Sequence, residues 1–277
     1  MLNEIYQMLD PVAFALGPVE VRWYGLAYIA GFFCSGAILL NVAKRWKLRF
    51  DEDAFLTIVL CVVIGVIFGG RLGYVLFYGD GYYFAHPEKI LAFNEGGMSF
   101  HGGLIGVLIA GVIACRMTHL PFLTLADMAC IAVPIGLFFG RCANFVNGEL
   151  WGAPTDLPWG VIFGGSAGDI PRHPSQLYEA LLEGIVMFVI LYTLSFKKPV
   201  PYRGTFFGLF FMLYGIFRFA VEFIRQPDAQ LGYLAGGWLT MGQVLSIPLI
   251  LIGIGVLLYV HKMKLPQKGL PSIDGEE

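Results

Sequence analysis

Continuous apolar runs, each long enough to cross a bilayer, recur along this chain and leave it few folds to adopt. About 20 apolar residues span the hydrocarbon core as a helix. In lipid every backbone N–H and C=O must find its partner inside the protein, so only helices and closed barrels can span. Barrel strands alternate apolar and polar residues; these runs do not. Composition points the same way. The chain is 57% hydrophobic and 14% charged, whereas a soluble domain carries about 25% charged residues. An all-α polytopic membrane protein is expected.

Seven transmembrane helices are expected, at about 23–43, 54–78, 100–116, 125–141, 178–196, 204–223 and 240–261. The fourth is short and carries Asp127 and Pro134, which suits a tilted, kinked or bundle-buried helix. Residues 1–261 then form one membrane domain. A small extracytoplasmic head with short strands is expected at 142–177, between spans four and five, and a polar cytoplasmic tail at 262–277. The first twenty residues include Glu4, Asp10 and Glu20 and lack a basic start. No cleavable signal peptide is therefore expected, and the first span acts as its own signal.

Basic residues set the expected orientation. Lys44, Arg45, Lys47 and Arg49 follow span one, and Arg116 flanks the 117–124 turn. Lys197, Lys198 and Arg203 link spans five and six, and Lys262, Lys264 and Lys268 follow span seven. All fall on one side, assigned to the cytoplasm, with the N-terminus outside and the C-terminus inside. The remaining basic residues are Arg22, Arg71, Lys89, Arg141, Arg172, Arg218 and Arg225. Arginine dominates this outward set, and its planar fork suits bidentate phosphate binding. A lipid phosphate ligand is the reading, although Arg22 and Arg172 serve equally well as interfacial anchors. The net charge of −2 gives no sign of a nucleic-acid partner. Cys34, Cys61, Cys115 and Cys130 sit in apolar runs as small hydrophobes. No CxxC pair or metal-ligand spacing is present, so neither metal nor cofactor is expected.

Three polar clusters interrupt the apolar pattern. Ionisable groups at membrane depth are expensive unless paired, so they mark a site. The first is GRCANFVNGELWG, Gly140 to Gly152. Arg141 and Asn144 share a face if the helix continues, and Asn147, Gly148 and Gly152 read as the turn that ends it. Capping explains the Asn and Gly residues; it explains Arg141 together with Glu149 poorly. The second cluster is Ser99 to Leu104, where Ser99 reads as an N-cap and His101 lies in the first turn of span three. A helix N-terminus favours neutral imidazole, which suits a general base. Gly102 and Gly103 admit a close neighbour, backbone or ligand. In the third, Tyr214, Arg218 and Glu222 follow i, i+4, i+8 on one helix face, with Arg225 near it. Arg71 in GGRLGY, RHPSQLYEA at Arg172–Ala180 with Gln176 and Glu179, and Tyr24 at the start of span one lie on the same side.

These segments resemble the phosphatidylglycerol:prolipoprotein diacylglyceryl transferases, enzymes of the bacterial inner membrane. The pattern G-R-x-[GA]-N-F-x-N-x-E-x-x-G fits Gly140–Gly152 at every fixed position. HGG fits His101–Gly103, YGxxRFxxEFxR fits Tyr214–Arg225, and RHPSQLYEA fits Arg172–Ala180. The resemblance implies seven spans, N-terminus out and C-terminus in. It implies transfer of the diacylglyceryl group of phosphatidylglycerol to the lipobox cysteine thiol of a prolipoprotein signal peptide. A thioether forms and glycerol 1-phosphate leaves, as the first step of lipoprotein maturation.

That reaction needs a base for the thiol, a phosphate clamp and room for two acyl chains. His101 is the expected base, and Arg141 and Arg218 the expected clamp. Arg71 and Arg225 are expected to bind the head group. Tyr24, Asn144, Glu149, Gly152, Tyr214 and Glu222 are expected to orient these groups or bind the substrate. Cys142 adjoins the cluster but has no evident adjacent base, which disfavours an acyl-enzyme. A transporter would instead favour midplane charges and matching halves, and no internal repeat is visible. An intramembrane protease would need a Ser–His pair, two aspartates or HExxH, and none is evident.

Overall fold

The structure is a computed structural model; it describes every residue except 18, 80, 93–95, 228–231 and 271–277. The last part of the expected tail thus lies outside the described residues. The chain opens with α1 (Leu2–Gln7) and a hairpin of β1 (Val12–Leu16) and β2 (Val19–Arg22). Then follow α2 (Trp23–Arg45), α3 (Glu52–Tyr78), α4 (Tyr82–Ala85), α5 (Phe100–Thr118) and α6 (Phe122–Asn147). The fifth span is composite: α7 (Ser175–Glu179), a π-helical stretch Ala180–Val186 and α8 (Met187–Leu194). α9 (Thr205–Glu222) and α10 (Met241–Met263) complete it. Seven helical segments among the described residues are long and apolar enough to cross a membrane.

The fourth span departs most from expectation. Its helix does not end at residue 141 but runs to Asn147, so Arg141 and Asn144 lie on its final turns. Gly148, at φ +67°, supplies the left-handed turn that stops it. The expected short strands of 142–177 are also corrected. That segment makes only isolated bridges, Gly152 with Arg225, and Pro154 and Val161 with Arg172. Left-handed Gly148, Gly164, Gly165 and Gly168 and the prolines there break any longer ladder. Among the described residues the paired strands lie instead in the N-terminal hairpin, where no strands are expected from the sequence.

Two compact units make up the chain. One comprises Met1–Trp46 and Ala126–Gln267. Asp127, in α6, is fully buried there. It accepts from Gly204 N (2.7 Å), Phe207 N (2.8 Å) and Gln267 Nε2 (2.7 Å). The carboxylate thus caps the N-terminus of α9 from another helix and explains the charge in an apolar run. Arg45 donates to Ser195 Oγ (2.7 Å) and Tyr192 Oη (2.8 Å) and stacks on Phe196, joining the ends of α2 and α8.

The second unit comprises Lys47–Leu125 with the described residues from Lys268. Its core is a glycine seam between α3 and α5. A Cβ on Gly73 would lie 2.6 Å from Gly102 Cα, and one on Gly69 would lie 2.8 Å from Gly106 Cα. Small residues let two backbones touch where hydrophobic burial cannot drive association. Asp51 caps α3 by accepting from Ala54 N (2.8 Å), and Ser99 caps α5 by accepting from Gly102 N (3.2 Å).

Candidate active site

Three elements of the first unit bring six ionisable side chains together. α6 carries Arg141, the fifth span carries Glu179 and Glu183, and α9 carries Arg218 and Glu222 with Arg225 just beyond its end. Glu179 closes α7, and Glu183 lies within the π-helical stretch, whose wider turn is frequent at functional sites.

Glu179 is the hub. Its Oε2 lies 2.7 Å from Arg141 Nε, its Oε1 2.9 Å from Arg218 Nη1 and 3.6 Å from Arg225 Nη1. Glu183 Oε2 accepts from Arg141 Nη2 at 3.2 Å. Glu222 Oε2 pairs with Arg218 Nη2 at 2.9 Å, and its Oε1 accepts from Thr240 Oγ1 at 3.0 Å. Glu179 is 1% exposed and Glu183 0%, so the pairs are shielded from solvent. Removing one partner from such a pair leaves a buried charge, at a cost of about 3–5 kcal/mol. Tyr214 is close enough for the charges of Glu183, Arg141, Arg218 and Glu179 to act on its hydroxyl. The i, i+4, i+8 face of Tyr214, Arg218 and Glu222 therefore points into this cluster.

A polar rim adjoins it. Glu149 Oε1 accepts from Asn144 Nδ2 (2.8 Å) and Asn147 Nδ2 (3.3 Å), so the end of α6 holds the carboxylate that follows it. Gln176 Nε2 donates to Glu149 O (2.6 Å) and Ser175 Oγ to Leu150 O (2.9 Å), tying the fifth span to the same turn. Tyr24 Oη lies 3.1 Å from Tyr28 Oη, and Arg141 and Glu149 act on it electrostatically. Gly152 is a crossing point. A Cβ there would lie 2.6 Å from both His173 Cβ and Ile224 O, so only glycine fits. Its N–H donates to His173 O, and Ala153 N donates to Ile224 O (both 2.9 Å), which docks the segment against the end of α9.

Arg225 lies beyond the last turn of α9, where burial and the neighbouring Arg218 guanidinium lower its pKa. Arg172 donates to Ala167 O, Gly152 O and Gln226 Oε1 and lies over Trp151, so it braces the loop. His173 Nδ1 lies 3.3 Å from Tyr178 Oη, which accepts from Trp159 Nε1 (2.7 Å); burial lowers the His173 pKa. Arg22 is exposed and paired with Glu20 (3.2 Å).

Arg71 and His101 belong to the second unit. Arg71 is 1% exposed. It donates to the carbonyls of Lys89 (2.7 Å), Ile90 (2.8 Å), Gly96 and Gly97 (3.3 Å). Its fork gathers the carbonyls of these four residues. His101 is exposed in the first turn of α5. Of the adjacent glycines, Gly102 faces α3 backbone. Sequence reasoning missed Glu183 and named Glu179 only as a neighbour of Gln176. The signal was available as two glutamates one turn apart in an otherwise apolar span.

What this arrangement can do is hold an anion. Guanidiniums fixed by carboxylates in desolvated surroundings present donors without reorganisation. The comparisons with known proteins agree with the polar pattern. The family model described as prolipoprotein diacylglyceryl transferase matches residues 11–259. A Geobacter sulfurreducens protein named phosphatidylglycerol–prolipoprotein diacylglyceryl transferase is 51% identical over 92% of this chain and 97% of its own length. Proteins of the same name from Nitratidesulfovibrio vulgaris (49% identical; 91% of this chain, 95% of the relative) and Xanthomonas euvesicatoria (47%; 97% of each) are also similar. The chain therefore belongs to the prolipoprotein diacylglyceryl transferase family.

Proposed function

We propose that this chain transfers the diacylglyceryl group of phosphatidylglycerol to the lipobox cysteine thiol of a prolipoprotein, the first step of lipoprotein maturation. The observation that carries the mechanism is the seating of Arg141 and Arg218, on different helices, by the single carboxylate of Glu179. Two guanidiniums so held form a clamp for the phosphate. As the thiol sulfur bonds to the glycerol carbon, the carbon–oxygen bond breaks and its electron pair leaves on glycerol 1-phosphate. The growing charge on that oxygen meets the clamp. His101 takes the thiol proton as general base. Arg225 adds charge near the head group, and Tyr214 and Glu222 orient the clamp. Tyr24, Asn144 and Glu149 face the glycerol hydroxyls, while Gly152 shapes the loop that carries Glu149. Arg71 is likewise assigned to head-group binding.

The same reading places the protein in the bacterial inner membrane, N-terminus outside and C-terminus in the cytoplasm. The site then opens toward the extracytoplasmic side, with 142–177 as an extramembrane head. The test uses purified protein, phosphatidylglycerol and a lipobox peptide, and follows glycerol phosphate release. Wild type releases it, and Arg141→Ala falls by at least ~100-fold. An active Arg141→Ala overturns the clamp; substrate uptake into proteoliposomes without release would favour a transporter.

A further inference from the structure

With all three carboxylates ionised, the charges of the cluster balance before any substrate arrives. Arg141, Arg218 and Arg225 face Glu179, Glu183 and Glu222. A phosphodiester brings one further negative charge into a site where the carboxylates are almost fully buried. An uncompensated charge there is expensive, and protonating one carboxylate removes it.

The structure distinguishes the three carboxylates. Both oxygens of Glu179 lie against guanidiniums. One oxygen of Glu222 lies against Arg218 and the other accepts from Thr240. Among the described residues Glu183 has a single polar contact, Oε2 to Arg141 at 3.2 Å. Its Oε1 is buried and has no hydrogen-bond partner among the described residues. The groups acting on Glu183 are Arg141 from α6, Glu179 from its own span, and Arg218 and Tyr214 from α9. Glu183 is therefore the carboxylate that loses least on taking a proton, and Oε1 is where the proton fits.

We infer that the cluster binds the lipid phosphate with uptake of one proton, held on Glu183 Oε1. The inference rests on the proposed role of Arg141 and Arg218 as phosphate ligands. Nothing covalent happens to Glu183; it restores neutrality and loosens its hold on Arg141 Nη2, which is then available to the phosphate. The linkage has a definite sign. Occupancy raises the carboxyl's affinity for its proton, so lipid binding is strongest at low pH. It weakens tenfold per pH unit as pH rises from the carboxyl's pKa without lipid to its pKa with lipid.

Titration calorimetry with phosphatidylglycerol, in two buffers of different ionisation enthalpy, counts the protons. Wild type should take up close to one proton per lipid within that window, searched over about pH 6–9. Glu183→Gln mimics the protonated acid and keeps an oxygen for Arg141. It should bind with no proton uptake and a Kd independent of pH. Wild type with no uptake at any pH overturns the inference, and so does Glu183→Gln with undiminished uptake. If that variant does not fold, the wild-type proton count decides alone. Phosphatidylcholine controls for lipid binding unrelated to the anionic head group. Thioether formation without proton uptake overturns only this inference; proton-linked binding without thioether overturns only the transferase reading.

Discussion

Glu179 determines where three arginines point. Its two oxygens serve Arg141, Arg218 and Arg225, which come from α6, from α9 and from just beyond α9. Glu179→Gln removes the shared charge but keeps the side chain's size. It should destabilise the chain by about 3–5 kcal/mol and abolish transfer more completely than it weakens lipid binding. Thermal unfolding in detergent and activity at saturating lipid measure the two effects; unchanged activity would remove Glu179 from the site. Chemistry at single positions was legible where a residue is costly in lipid. Arg141, Arg218 and Glu222 announced themselves by charge in an apolar setting, and the structure gathers them. Arg71 carried the same signal, and its fork meets backbone carbonyls. Sequence cannot say whether an arginine fork will meet backbone carbonyls or a ligand, because every residue carries a carbonyl and its identity does not mark which ones will be gathered.

The helices were legible from length and hydrophobicity, and their departures have local causes. The span-four helix continues past Arg141 because Glu179 and Glu183 receive the arginine and Glu149 receives Asn144. Glu179 and Glu183 come from another span, so the helix end looked earlier than it is. The π-helical stretch at Ala180–Val186 has no marker in composition. The glycines of α3 and α5 read as sites of close approach, but which backbone approaches is a tertiary fact. A side chain at Gly106 would meet backbone, Gly65 C at 2.9 Å and Gly69 Cα at 3.0 Å, which cannot yield as a side chain can. Gly106→Leu should therefore separate α3 from α5 and cost about 1–3 kcal/mol or more. Wild-type stability in that variant would show that the seam is looser than described.

Across the molecule, seven spans and the family follow from separate observations, a pattern of apolar runs and a match over residues 11–259. The proposed sidedness rests on the basic residues. A cysteine introduced at Asp156 should react with a membrane-impermeant thiol reagent in intact spheroplasts, and one at Lys198 only after permeabilisation. The reverse pattern would invert the proposed topology. The measurement closest to the central claim is the mass of a lipobox peptide incubated with the purified chain in phosphatidylglycerol nanodiscs. A gain of one diacylglyceryl group on the cysteine, abolished by Arg218→Lys in a folded protein, is the predicted result, because lysine cannot reproduce the fork. An unmodified peptide with folded wild-type protein, or full modification by Arg218→Lys, would contradict it.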